Sequence, residues 1–424
     1  MTAEMGMLNK YAVALAADSA VTVTQNGESK VYNSANKLFK LSNFEPIGIM
    51  IYGNASFMGI PWETIIKLYR RRLKDTKFDL INEYADNFME YLSKFKLDEE
   101  NKSTYIEQNF YLLINEFFSD IENRKSHTTV KLTEWMTEYN ELFDKEYSEI
   151  HEIKQEDYDF YKDKYISDIE DYFTNINPNY TDNIDVINKT VAEDFLKLIF
   201  RYIVINRIYN SSGVVIAGFG EEELYPALCS HDIDGKVGEV LIYQKIEEAK
   251  ISIKNNAAII PFAQTNMVRT FIQGINPRLE TDITNEMKSN LNQLSQGMAS
   301  NLQTTLGLSD DLTEEIEKGL RKTTNEMFFE NTKKYLVDYK QQNHIVPIIN
   351  TVALLEKDDL AHMAESLVNI ASMDKKMSME IESVGGPIDV AVISKGDGFI
   401  WYKRKHYFNT ELNPDFIARK ERQC

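Results

Sequence analysis

The chain has 424 residues, 43% hydrophobic and 27% charged, which is a globular rather than a disordered composition. Its 66 acidic side chains outnumber 47 basic ones, leaving a net charge of −19 that disfavours a nucleic-acid-binding face. No apolar run approaches the ~18 residues of a membrane span, the opening Met-Thr-Ala-Glu-Met-Gly has no secretory character, and two cysteines 195 positions apart, Cys229 and Cys424, exclude a disulfide framework and fit a reducing cytoplasm.

The first 70 residues read as strands and turns. Tyr11–Asp18 is a short, small-residue apolar run, as expected of a strand buried on both faces. Ala20–Thr24 follows, with Gln25-Asn-Gly27 as a hairpin turn signal. Lys37–Leu41 and Ile47–Tyr52 are further strands, and Pro61 opens a helix through Arg70. From Phe78 to Thr190, aromatic and aliphatic residues recur at helical spacing among charges. Glu134–Asp171 holds fourteen acidic residues against four lysines, a pattern that reads as a solvated helical face or a docking surface for a basic partner.

Strands return at Gly213–Gly220, at Leu224–Ser230 and at Lys236–Tyr243, with Asp232-Ile-Asp-Gly235 read as the turn before the last of these. A polar helical segment covers Arg278–Asn343, with a stop and restart at Gly307-Leu-Ser-Asp-Asp311. A helix over Lys357–Ala371, a Gly385-Gly386 break, a strand at Ile388–Ile393, a turn at Lys395–Gly398 and a strand at Phe399–Tyr402 complete the chain. There is no internal repeat. This order predicts an α+β fold carrying two helical insertions.

Familiar chemical motifs are absent: no Walker A loop, no GxSxG elbow and no HExxH. Six scattered histidines (127, 151, 231, 344, 362 and 406) lack metal-ligand spacing, and Gly218-Phe-Gly220 runs into three glutamates rather than a dinucleotide fingerprint. No metal or organic cofactor is expected. The unusual feature is Thr2. A small second residue permits removal of Met1, which would expose a hydroxyl nucleophile beside its own α-amine, a base with a pKa near about 7.7–8.0.

Thr2, then Ala14-Leu-Ala-Ala-Asp-Ser19, Asn36-Lys37 before a strand, and Ile51-Tyr-Gly-Asn-Ala55 before a helix together resemble the N-terminal half of proteasome β subunits and of HslV, their bacterial two-ring relative. In that family sixteen positions separate the nucleophile from an Asp ending the second strand, as Thr2 stands from Asp18. Later segments are similar as well: Gly213–Gly235 to a central hairpin, and Ser383–Val392 to the final Gly-Gly-initiated strand. The resemblance covers about half of the chain.

It implies an N-terminal nucleophile (Ntn) hydrolase with a four-layer αββα sandwich. Residues 1–75 would form the N-terminal half of the core and 76–190 an acidic helical insertion. Residues 191–277 would supply a core helix and second-sheet strands, 278–343 a second helical insertion, and 344–424 the C-terminal core helix, strands and tail. Thr2, Asp18, Lys37 and Gly53 would be catalytic. Asp18 would fix the Lys37 ammonium beside Thr2, favouring the neutral amine and the developing alkoxide. The Gly53 N–H would stabilise the oxyanion, typically worth about 3–4 kcal/mol.

Some family features are missing. Pro261-Phe-Ala-Gln-Thr265 replaces a Ser-bearing turn, the Asp-x-x-Ser pattern before Gly385 is lacking, and Glu4 stands on a strand that is usually apolar. The implied activity is threonine-type hydrolysis of a peptide or protein substrate in a homo-oligomer. This chain has no ATPase motif, so any unfolding power must come from elsewhere, such as a separate AAA+ unfoldase. The alternatives are a catalytically inactive binding or assembly scaffold and an amidase acting on small molecules. Neither a nucleic acid nor a membrane is expected as partner.

Overall fold

The computed structural model describes residues 3–25, 28–123, 131–146, 155–175, 183–184, 188–205, 211–263, 265–377, 385–406, 408 and 410–415. In chain order it begins with strands β1 (Ala3–Asn9), β2 (Val13–Ala17), β3 (Val21–Gln25), β4 (Glu28–Tyr32), β5 (Leu38–Lys40), β6 (Ile47–Gly53), β7 (Ser56–Phe57) and β8 (Ile60–Pro61). Helices α1 (Trp62–Leu73), α2 (Ile81–Ser93), α3 (Glu99–Asn123), α4 (Leu132–Glu146), α5 (Gln155–Thr174) and α6 (Lys189–Ile205) follow. Next come β9 (Ser212–Gly218), β10 (Ala227–Val237), β11 (Val240–Lys250) and β12 (Ala257–Ala263). The chain then forms α7 (Asn266–Gln273), α8 (Pro277–Leu306), α9 (Asp310–Thr324), α10 (Asn331–Lys340), α11 (Val346–Val352), α12 (Lys357–Met377), β13 (Asp389–Ser394) and β14 (Gly398–Lys403). The fold is mixed α+β with antiparallel sheets, and it divides into two compact units.

The first unit holds 1–38, 224–227 and 250–424. Its five-stranded sheet has the order β12-β1-β2-β13-β14, with Leu15 pairing both Gly6 and Ala391. One face of β1 and β2 presents Ala3, Met5, Met7, Ala14 and Ala16 to Ala361, Ala364, Leu367, Val368 and Ala371 of α12. Small residues on both sides allow a helix to lie close against the pleat. The residues of the opposite face, among them Leu8, Val13, Leu15 and Ile393, are also buried. That double burial is why the sequence shows continuous rather than alternating apolar runs. Asn9 closes the β1–β2 turn by accepting from the N–H groups of Tyr11 and Ala12. Its amide donates to the Val352 and Leu355 carbonyls, at 3.0 and 2.8 Å.

A long helical hairpin extends this unit. The 30-residue α8 starts at Asn276, whose side chain caps the N–H groups of Arg278 and Leu279, and stops at left-handed Gly307 (φ +66°). The chain returns through α9, α10 and α11, joined by π-helical turns at Asn325–Glu330 and Gln341–Ile345. The stop and restart expected at 307–311 is present. Helix α12 runs six residues past its expected end at Ala371.

The second unit holds 39–223 and 228–249. Its sheet order is β11-β10-β9-β6-β5, with β6 antiparallel to β9. The expected turn at Asp232–Gly235 is corrected here: those residues lie inside the 11-residue strand β10, and the chain reverses at Gly238 (φ +59°) instead. The two aspartates find partners on other elements, β6 and α3. Asp232 accepts from the Tyr52 hydroxyl at 3.0 Å and Asp234 from that of Tyr105. A side chain on Gly235 would collide with the Tyr105 ring at 2.5 Å, so the glycine marks a close approach rather than a turn.

Helices α3–α6 build a layer with its own core. Trp135 is fully buried, stacked on Tyr139 at 4.2 Å and edge-on to Phe117 at 5.2 Å, with its indole N–H on Asp120 at 3.0 Å. In α5, Tyr158, Tyr161, Tyr165, Ile169 and Phe173 point inward, whereas Glu156, Asp159, Asp168 and Asp171 are exposed. The described part of the acidic stretch is therefore the solvated side of an aromatic layer.

Candidate active site

Asp18 stands immediately after β2, where the small-residue run delivers it to the end of the central strand of a buried sheet. Its backbone N–H donates to the Ala3 carbonyl at 3.1 Å, and the Ala3 N–H returns a bond to Asp18 Oδ1 at 3.2 Å. Oδ2 accepts from Gly385 N at 2.8 Å and from Ala20 N at 3.4 Å. Three backbone donors thus surround a carboxylate that is only 1% exposed. Such an arrangement holds it in one orientation.

The Lys37 ammonium binds the same Oδ1 and also lies 3.3 Å from Glu4 Oε1. Lys37 is 6% exposed and Glu4 1%, so among the described residues this is an interior cluster that joins one cation to two carboxylates. The β1–β2 register explains it: Glu4 pairs with Ala17, the residue before Asp18. Lys37 arrives from the far side of the β3–β4 hairpin, where Ala35 N donates to the Ser19 carbonyl at 3.0 Å. Charges removed from water this completely require one another, because each alone would carry a large desolvation penalty.

The Gly385-Gly386 break belongs to the same cluster. Besides the Gly385 bond to Asp18, the Gly385 carbonyl accepts from Ser19 N at 3.1 Å, and Ser19 Oγ donates to the Pro387 carbonyl at 2.5 Å. Gly386 has φ +75°, and a Cβ there would meet Asn33 Cβ at 2.9 Å, so both conformation and space select glycine. Across β1 from β2, Ala263 faces Ala3 and takes a left-handed φ of +59°, uncommon for alanine. Pro261 is tolerated on β12 because β12 is an edge strand.

Of the four residues assigned from sequence, Asp18 and Lys37 are brought together. Thr2 lies outside the described residues, and with it the expected distance from Thr2 to Lys37. Gly53 lies in the second unit, where it ends β6 with φ +78°; a Cβ would sit 2.7 Å from the Ser211 carbonyl oxygen. The turn beyond it is held by Ser212 Oγ donating to the Asn54 carbonyl at 3.0 Å and by Trp62 N donating to that of Ala55 at 3.2 Å.

Sequence reasoning missed two participants. Glu4 stood out only as a charge in an apolar strand, and Gly385 only as a break. Both roles depend on register and on contacts distant in sequence.

Other reactive groups are muted. Burial pushes the Cys229 thiol up to about 12, removing it as a nucleophile at neutral pH. Burial also lowers the His231 imidazole below its ordinary value. Among the described residues no group of three or more His, Cys, Asp or Glu could hold a metal ion, and no helix is long and apolar enough to cross a membrane. Comparison of the chain with models of known protein families and with curated protein sequences finds no match.

Proposed function

We propose that this protein is an N-terminal-threonine amide hydrolase of the proteasome β-subunit type, acting on a peptide or protein substrate. In this reading the two five-stranded sheets with their helices form the αββα sandwich. Removal of Met1 frees the Thr2 α-amine, which takes the hydroxyl proton as Oγ1 attacks the scissile carbonyl. Lys37, oriented by Asp18, favours the developing alkoxide, and the Gly53 N–H receives the oxyanion. The α-ammonium then returns its proton to the leaving amine, and water hydrolyses the Thr2 ester.

One observation carries the reading: a single buried carboxylate, that of Asp18, binds both the Lys37 ammonium and the backbone N–H of Ala3. Only one peptide unit, with a Cα–Cα span of about 3.8 Å, separates that anchored residue from the threonine.

The test is intact-mass measurement of the native protein combined with peptide hydrolysis by wild type and Thr2→Ala. The expected result is loss of Met1 and activity abolished in the variant. Full retention of Met1, or equal hydrolysis by both proteins, removes the catalytic reading.

Glu4 favours a second reading, a scaffold without proteolysis. A lysine shared by two buried carboxylates serves equally well as a staple between β1 and the segment leading to β5. A retained Met1 on a stably folded protein would select this reading.

A further inference from the structure

The helical hairpin of the first unit is packed inside out. The buried residues of α8 are Ser295 and Ala299, and opposite them the returning helices bury Thr324 and one large side chain, Phe329. Ser295 Oγ lies 3.0 Å from Thr324 Oγ1, the Lys288 ammonium sits 5.8 Å over the Phe329 ring, and Lys340 bonds Glu280 at 2.5 and 2.6 Å. The large apolar residues of α8 point elsewhere. Ile283, Leu294 and Met298 are 49%, 54% and 45% exposed, and Leu302 and Leu306 are exposed with them. Ile283, Met287, Leu291, Leu294, Met298 and Leu302 follow one another at spacings of four, four, three, four and four. That pattern forms a continuous seam on one side of a helix about 45 Å long. Ile283, Met287, Leu291 and Leu294 also line a groove along it, with Asp282 and Glu286 at its N-terminal end.

The seam's charge pattern selects its occupant. Although 27% of the chain is charged, the 18 residues Ser289–Leu306 contain no Asp, Glu, Lys or Arg. Charge depletion marks the centres of protein interfaces. Two copies of a chain with net charge −19 repel one another across most surfaces, and this uncharged seam is a place where that repulsion is weakest. A strongly basic partner would instead be drawn to the acidic faces.

We propose that α8 pairs with α8 of a second copy, antiparallel, about a two-fold axis beside Leu294. This pairing places Met298 of one copy against Leu291 of the other, Leu302 against Met287 and Leu306 against Ile283. The N-terminal parts of the two helices, which carry Asp282 and Glu286, then face uncharged C-terminal turns, whereas a parallel pair would set them against each other. The inference is independent of the Thr2 chemistry.

Sedimentation velocity of the full chain tests it. The double variant Leu294→Glu/Met298→Glu should halve the mass of the wild-type particle, weakening association by roughly a hundredfold or more because two unpaired charges enter an apolar seam. Its circular dichroism and thermal melt should be unchanged, since both positions are outward-facing within one copy. In a Cys424→Ser background, oxidised Leu294→Cys should form a covalent dimer. Ile283→Cys should cross-link only when mixed with Leu306→Cys. A monomeric wild type overturns the proposal and assigns the seam to another occupant, as does a double variant that sediments like wild type. Self-cross-linking of Ile283→Cys overturns the antiparallel arrangement.

Discussion

Helices α3–α6 and the α8–α11 hairpin both interrupt the succession of sheet strands, yet they solve burial in opposite ways. The first layer turns its large side chains inward: Trp135, Phe117, Phe195 and Phe173 are almost completely buried, and its acids face water. The hairpin turns Ser295, Ala299 and Thr324 inward with a single aromatic, Phe329, and leaves most of its leucines and methionines at least partly outside. Aromatic bulk at helical spacing marks a layer that completes its own core. Small residues inside a helical pair, with an uncharged Leu/Met seam outside, mark an arm whose apolar surface is completed by something else.

The sharpest way to break this contrast is Trp135→Ala. Loss of a fully buried, stacked indole should cost about 3–5 kcal/mol in urea unfolding, and a loss below about 1 kcal/mol would mean the layer is not a packed core. Asp18→Asn probes a polar interior by the same measurement. It removes the charge facing Lys37 and places an amide among three backbone donors, for a loss on the order of 3–5 kcal/mol together with loss of any hydrolysis. Lys37→Met should also destabilise, since it removes a buried cation that two buried carboxylates share.

A smaller effect is expected at Lys236, whose ammonium caps the end of α2 through the Ser93 and Phe95 carbonyls at 2.8 and 2.6 Å. Burial lowers it to about 8. Because the folded value is below the unfolded one, the unfolded chain binds more protons between pH 8 and the ordinary lysine value of about 10.5. Stability should therefore rise with pH across that window, and the rise should be diminished in Lys236→Met. The smallest effect is Leu294→Ala on the arm, expected to shift the unfolding free energy of the isolated chain by no more than about 0.5 kcal/mol. A large loss at that position in the monomer would show that the seam is covered within one copy.

Most strands and helices were legible because their signals are local. Gly307 with Ser309-Asp-Asp311 gives a helix stop and restart, and the Ala-rich run at 12–17 gives a doubly buried strand. The error at Asp232–Gly235 arose because Asp-x-Asp-Gly is strong turn chemistry in isolation. Its strand conformation depends on Tyr52 and Tyr105, which lie far away in sequence. At the site, the spacing of Asp18 and Lys37 from Thr2 was readable. Glu4 as a second partner of Lys37 was not, since a one-residue change of β1 register would turn it to the other face.

The order β1-β2-β13 has a consequence for the timing of synthesis. The central strand of the first sheet is made within the first 17 residues, but its neighbour on one side ends at Ser394, and Gly385 reaches Asp18 across 367 positions. At about 5–20 residues per second, a ribosome needs roughly 20–80 s to supply that last partner. Throughout that interval the carboxylate beside residue 3 lacks one of its three backbone donors. The site can close only once Gly385 has been translated, so a polypeptide that stops short of it would carry Asp18 without its finished surroundings.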